Sequence, residues 1–173
     1  MGSTPTTQMQ IEPIPAGPRR RAWGSTQLLH EWLTLKYPNA QAYYELRLGP
    51  TTTRLVGVQV SAALEAMLRV NNWYADAVVI APPEILLIEA KVNPDPGAIG
   101  QVLFYLRLLP STPLLAGLQS MPIVPMVLFA EDNPDVNNFA RGLGVRVEVY
   151  TPPWIAQYLV SVQFKRRSTP PTV

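Results

Sequence analysis

The sequence predicts an α/β fold, a mixed sheet flanked by helices, with elements in the order α-β-β-β-α-β-α-β-α. Three observations carry this. Two strongly apolar runs, WYADAVVIA (73–81) and EILLIEAKV (84–92), are joined only by Pro82 and Pro83, which reads as an antiparallel hairpin. Downstream, stretches of helical periodicity alternate with short β-rich runs, as helix-connected strands require. At 173 residues, 47% apolar and 15% charged, the chain has the size and composition of one globular domain.

The elements follow in order. Residues 1–22 are rich in Pro, Thr and Gly without periodicity and read as a flexible basic arm. Ser25 is the expected N-cap of a helix over TQLLHEWLTLKY, whose stripe is Leu28, Leu29, Trp32 and Leu33, closed by Pro38 and Asn39. QAYYELRLG alternates as a strand, with Tyr44, Leu46 and Leu48 on one face and Tyr43, Glu45 and Arg47 on the other. Residues 50–70 are ambiguous, compatible with a strand followed by a short helix. After the hairpin and the turn NPDPG, a helix is expected from about Ala98 to Leu109, stopped by Pro110. PIVPMVLFA is a buried strand in which Pro125 demands an edge or a bulge.

The next helix carries nearly every terminal signal. Asn133 is its cap, Pro134 its first residue and Gly144 its stop, with Val136, Phe139, Ala140 and Leu143 as its stripe. VRVEVY alternates as a strand, and PPWIAQYLVSVQF opens a last helix behind prolines. The domain should therefore occupy 23–164, with 165–173 as a basic, Pro-rich tail. Trp32, Trp73 and Trp154 fall where core or rim packing is expected.

Composition narrows the chemistry. The chain has no cysteine and one histidine, His30, which excludes disulfides, thiolate nucleophiles and any multi-histidine metal site within one chain. A metal would sit on carboxylates, and hard oxygen ligands suit Mg²⁺ or Mn²⁺. No nucleophile-elbow context accompanies His30. There is no apolar run long enough for a membrane span and no secretory leader, so a cytoplasmic location is expected, or the virion or host cytoplasm if the protein is phage-encoded. The net charge of +2 creates no strong overall field, but Arg19, Arg20 and Arg21 cluster near the start and Lys165, Arg166 and Arg167 near the end, where phosphates could be neutralised.

The chemistry-bearing constellation lies on the hairpin. Asp76 interrupts an apolar strand, and a buried lone carboxylate is costly without a partner. Folding at Pro82 and Pro83 brings it toward Glu89 and Lys91, which share a face at the end of the next strand. Two converging carboxylates repel unless a cation joins them.

Asp76 followed by Glu89-Ala90-Lys91 on adjacent strands resembles the PD-(D/E)XK nuclease superfamily, with its restriction-endonuclease-like fold, over roughly residues 25 to 130. Gln101 and Tyr105 on the following helix look like the Gln-x-x-x-Tyr element of RecB-like members. Ala75 departs from the proline that often precedes the first acid. The resemblance implies a metal-dependent DNA endonuclease or exonuclease. Asp76, Glu89 and the Ala90 carbonyl would hold Mg²⁺ or Mn²⁺, Lys91 would position the attacking water, and Gln101 and Tyr105 would steer the strand. The family places an auxiliary ligand on the first helix. Glu31 is preferred there because it sits nearer the apolar stripe than His30, with Glu45 as competitor. DNA is the expected partner, with no membrane association, the basic arms adding salt-sensitive affinity. The rival expectation is a nuclease-fold protein that does not cut and serves as a structural or docking component of a homo-oligomer or larger assembly, engaged through the N-terminal arm.

Overall fold

The computed structural model describes residues 23–49, 73–115, 117 and 120–168, with backbone alone for 163–168. Among them the order is α1 (Trp23–Lys36), β1 (Gln41–Leu48), β2 (Trp73–Ala81), β3 (Glu84–Lys91), α2 (Pro96–Leu108), β4 (Ile123–Phe129), α3 (Pro134–Gly142), β5 (Arg146–Val149) and α4 (Ile155–Ser168), with two short 3₁₀ turns after α2. The ambiguous stretch 50–70 and the arm 1–22, including Arg19, Arg20 and Arg21, lie outside the described residues.

The five strands form one mixed sheet in sequence order. β1, β2 and β3 pair antiparallel, while β3, β4 and β5 pair parallel. The tight Pro82–Pro83 turn allows only antiparallel pairing of β2 with β3. The parallel neighbours are those separated by α2 and α3, as crossover connections require.

Two cores follow from the strand alternation. On one face Leu28, Leu29, Trp32 and Leu33 of α1 cover Ala77, Val79, Leu86, Ile88, Met126 and Leu128. On the other, Ile99, Val102 and Tyr105 of α2 cover Val78, Ile85, Leu87, Val127 and Phe129. Burial of the sheet on both faces explains why β3 reads as an almost unbroken apolar run.

Pro125 sits in β4, an interior strand, yet causes no defect. The Ile85 N–H donates to the Pro122 carbonyl at 2.9 Å, so even-numbered β4 residues face β3 and odd-numbered ones face β5. β5 begins pairing only at Met126, so the missing Pro125 N–H points where no ladder has started.

Three expectations are corrected. α1 starts at Trp23, not behind Ser25. Its first turn is held by tertiary contacts, Trp23 lying 5.7 Å from Trp154 and 5.9 Å from Tyr158 between ring centroids. The β1 faces are not those of simple alternation. Tyr44 packs with the α1 core, but Leu46 packs with the α2 core and Leu48 is buried in it. Between them Glu45 has φ +49, a left-handed conformation that reverses the alternation. In α3, Asn133 caps Asp135 and Val136 N–H and Gly144 follows at φ +75, as the terminal signals required. Ala140 is buried and Val136 partly so, but Phe139 and Leu143 are 54% and 47% exposed. The last helix, α4, runs through Lys165, Arg166 and Arg167 to Ser168.

Candidate active site at the open end of the hairpin

The β2–β3 ladder ends at Ala77↔Ile88, although both strands continue. The next hydrogen-bonded pair would join Ala75 to Ala90. Instead the Ala90 N–H donates to Oδ2 of Asp76 at 2.9 Å, a side chain taking the place of a backbone carbonyl. The strands part here, and Asp76 caps the opening. Because a strand residue's N–H and C=O point the same way, the Ala90 carbonyl also faces the β2 side, toward Asp76.

Glu89 lies opposite Asp76 in register, one step beyond the last ladder pair. Both are buried, at 3% and 5% exposure. Lys91 Nζ donates to Glu89 Oε1 at 2.8 Å, and its side chain reaches the surface at 33% exposure. Burial draws the Lys91 ammonium down, but the hydrogen bond to Glu89 and the charges of Glu89, Asp76 and Asp95 outweigh it, and the net shift is upward. Lys91 is therefore a cation at neutral pH. Asp95, whose charge contributes to that upward shift, is the α2 N-cap and accepts from the Gly97 N–H at 2.8 Å.

A cleft opens on the other side of Asp76, lined by Ser25, Thr26, Leu29 and His30 of α1 with Tyr44 and Glu45 of β1. Its volume of about 20 Å³ suits a water or a bare ion, not an organic cofactor. His30 stacks flat on Tyr44, centroids 4.2 Å apart and planes 5° from parallel. Burial lowers the His30 pKa, keeping the imidazole neutral at pH 7, and raises that of Tyr44. The left-handed Glu45 lies on this wall, a strained residue of the kind that clusters at functional sites.

Glu89 and Lys91 are thus joined by an ion pair, with Asp76 at the facing position of β2. Glu31, the preferred auxiliary ligand, does not join them. Its two carboxylate oxygens each lie 2.8 Å from Trp154 Nε1, and Oε1 also accepts from Gln27 Nε2 at 2.8 Å. His30 and Glu45 are the side chains that share the Asp76 cleft. Tyr105 is buried at 3% exposure in the α2 core, its ring 6.4 Å from that of Trp73, and Gln101 is half-buried on the same helix.

Among the described residues no three His, Asp or Glu side chains form a ready cation cage. Mg²⁺ does not need one. It keeps several waters and is held by one or two carboxylates plus substrate oxygens, so Asp76, Glu89 and the Ala90 carbonyl fit it by chemistry. Among the described residues no helix is long and apolar enough to cross a membrane.

Comparison with known proteins adds little. No family model matches the chain, and no curated protein matches it. Among solved structures, a protein of unknown function, AF1548, superposes with a TM-score of 0.46 at 11% identity, covering 80% of this chain. The match spans 66% of that protein.

Proposed function

We propose that the protein is a metal-dependent phosphodiesterase acting on DNA, with a restriction-endonuclease-like fold of the PD-(D/E)XK type. The observation that carries the reading is the gathering of Asp76, Glu89, Lys91 and the Ala90 carbonyl where the hairpin ladder stops. A sheet that only needed closing would continue the Ala75–Ala90 pair. Here two carboxylates at facing strand positions are both buried, one of them paired with Lys91, and burying them is costly unless their charges are matched.

Asp76, Glu89 and the Ala90 carbonyl would hold Mg²⁺ or Mn²⁺. When bound, the ion supplies Lewis-acid polarisation of the phosphate and lowers the pKa of water. Lys91, already cationic and partly exposed, would position the nucleophile and stabilise charge developing on the phosphate oxygens. Gln101, at the helix that starts beside Lys91, would contact the substrate strand. Tyr105 would support that helix from the core.

The second reading, a nuclease-fold scaffold that does not cut, draws on the structural use Asp76 already has in capping the Ala90 N–H and on the exposed Phe139 and Leu143. One experiment separates them. Plasmid, linear and single-stranded DNA are incubated with Mg²⁺, Mn²⁺ or EDTA, using the wild type and Lys91→Ala. Metal-dependent cutting that Lys91→Ala loses by at least about a hundredfold is expected. A Lys91→Ala protein that cuts at the wild-type rate refutes the assignment, and no cutting of any DNA gives the protein to the scaffold reading.

A further inference from the structure

The sheet ends at β1 on one side and β5 on the other, and among the described residues no strand pairs with the outer side of β5. Just past β5, the Tyr150 N–H donates to the Phe129 carbonyl at 2.9 Å. Even-numbered residues of β5 therefore turn their backbone groups toward β4, and Val147 and Val149 turn theirs outward. Unpaired groups of this kind are a template for another strand.

The side chains along this edge are sorted by face. Val147 packs against the α2 core, and Val149, two residues on, is 39% exposed on the same face. There α3 packs on β5, its buried line running through Val136 and Ala140. Helical rotation sets Phe139 and Leu143 together on one flank of that line and Asn137 on the other. Asn137 is buried and donates to Asp132, so its flank is the one turned into the molecule, and Phe139 and Leu143 face away from it. The opposite face of β5 carries Arg146 and Glu148, opposite charges two residues apart. Arg146 is held on that face by Glu84, which accepts both its arms at 2.6 and 3.0 Å.

A strand reading Arg-Val-Glu-Val complements itself in one antiparallel register. Val147 set opposite Val147 of a second copy makes a hydrogen-bonded pair from the outward groups of both, and it places each Arg146 across from the other copy's Glu148. Sliding to the next such pairing in either direction sets Arg146 against Arg146 or Glu148 against Glu148, like charges that repel. Short length and charge ordinarily keep an edge strand unpaired. Here the charges select a partner instead.

We propose that β5 pairs with β5 of a second copy of this chain, antiparallel about a two-fold axis at Val147, joining the two sheets into one. Such an interface is isologous, each Arg146 meeting a Glu148 and each Glu148 an Arg146. The axis runs perpendicular to the sheet, so Phe139, Leu143 and Val149 of both copies lie on one face of the joint, where they can cover one another. The dimer rests neither on the nuclease reading nor on the N-terminal arm.

Sedimentation equilibrium of the full chain, without metal or DNA and from micromolar to submillimolar concentration, tests this with wild type, Glu148→Arg, Arg146→Glu and Val147→Pro. Wild type should reach twice the mass of one chain. Glu148→Arg turns two attractive pairs repulsive and should raise the dimer Kd about tenfold or more, as should Arg146→Glu. An equimolar mixture of those two variants should recover a mixed dimer, since every Arg again faces a Glu. Val147→Pro removes an N–H that points away from β4, so it should lose the dimer while the dilute monomer still folds. Melting curves at low concentration check folding. If Arg146→Glu fails to fold without its Glu84 pair, Glu148→Arg and Val147→Pro decide the question. A wild type that stays monomeric throughout overturns the proposal. So does a dimer whose Kd neither Glu148→Arg nor Val147→Pro moves, which gives the association to another surface. Folded variants that stay monomeric when mixed overturn the register and the proposal with it.

Discussion

Replacing Asp76 by Asn separates a functional carboxylate pair from a structural one. The side chain is 5% exposed and its Oδ2 accepts the Ala90 N–H. Asn retains an acceptor for that N–H, and its amide can then donate toward Glu89. Facing positions on antiparallel strands lie about 5 Å apart, where an effective dielectric of about 20 makes each charge pair worth about 3 kcal/mol. Removing the Asp76 charge deletes repulsion from Glu89 and attraction to Lys91, two contributions of opposite sign, and also removes the cost of burying the charge. Asp76→Asn should therefore melt within about 1 kcal/mol of wild type, roughly 3 °C for a chain of this length. Asp76→Ala should lose about 1–3 kcal/mol, roughly 3–10 °C, because it orphans a buried N–H. Thermal unfolding in EDTA, by calorimetry or circular dichroism, measures both. Adding Mg²⁺ supplies the second arm. At about tenfold excess over its Kd the ion stabilises wild type by about 1.4 kcal/mol, roughly 3–6 °C, and should do nothing for Asp76→Asn. If Asp76→Asn is destabilised as much as Asp76→Ala, the negative charge itself holds the strand end and the site is a structural ion network.

Three further outcomes follow from other contacts. Glu84 receives both arms of Arg146, at 2.6 and 3.0 Å, and this hydrogen bonding lowers its pKa from 4.5. A carboxylate with a depressed folded pKa contributes stability that is present above its unfolded value and lost as pH falls through the folded one. The stability gap between wild type and Glu84→Gln, under about 1 kcal/mol for so exposed a pair, should be constant above about pH 5 and close below 4.5; chemical denaturation across pH reads it, and a gap that widens in acid contradicts the assignment. Glu31→Gln keeps an acceptor for the Trp154 indole and should leave Mg²⁺-dependent kcat/KM within about threefold, whereas loss of a metal ligand would cost about a hundredfold. Gly24→Ala should push the Tyr158 ring off α1, changing the near-ultraviolet dichroism and offsetting the roughly 1 kcal/mol that Ala gains over Gly in a helix; an unchanged spectrum with a raised melting point would show that the ring contact is not close.

What could be read from the sequence was whatever is decided locally. Asn133, Pro134 and Gly144 bound α3 through contacts within a few residues, and the Pro82–Pro83 turn leaves β2 and β3 no pairing but the antiparallel one. Decisions made across the chain were hidden. The helix wheel of α1 ranks Glu31 above His30 by distance from the stripe. Its true orientation depends on Trp154, 123 residues away, whose indole N–H claims the carboxylate and leaves His30 to the Asp76 side. The face switch in β1 was equally hidden, since alternation presumes extended φ at every residue and nothing in the composition of Tyr-Glu-Leu announces φ +49 at Glu45.

The face switch and the site have one geometry. Glu45 falls opposite Asp76 in the β1–β2 register, at the one position of that ladder where pairing lapses between Tyr44↔Ala77 and Leu46↔Ala75. On the other side of β2, pairing with β3 stops at the same level. A regular strand would have sent Asp76 to the face opposite Ala77. With both neighbouring ladders interrupted, Ala75 packs on the α2 side and Ala77 on the α1 side, and Asp76 lies between them, lining the α1 cleft with its carboxylate on the Ala90 N–H. The irregularity in β1 thus falls at the level where Asp76 leaves regular alternation, its carboxylate on the Ala90 N–H and beside the α1 cleft. A left-handed non-glycine residue is disfavoured by sterics alone, and it persists here because the two cores on either side fix both ends of the strand.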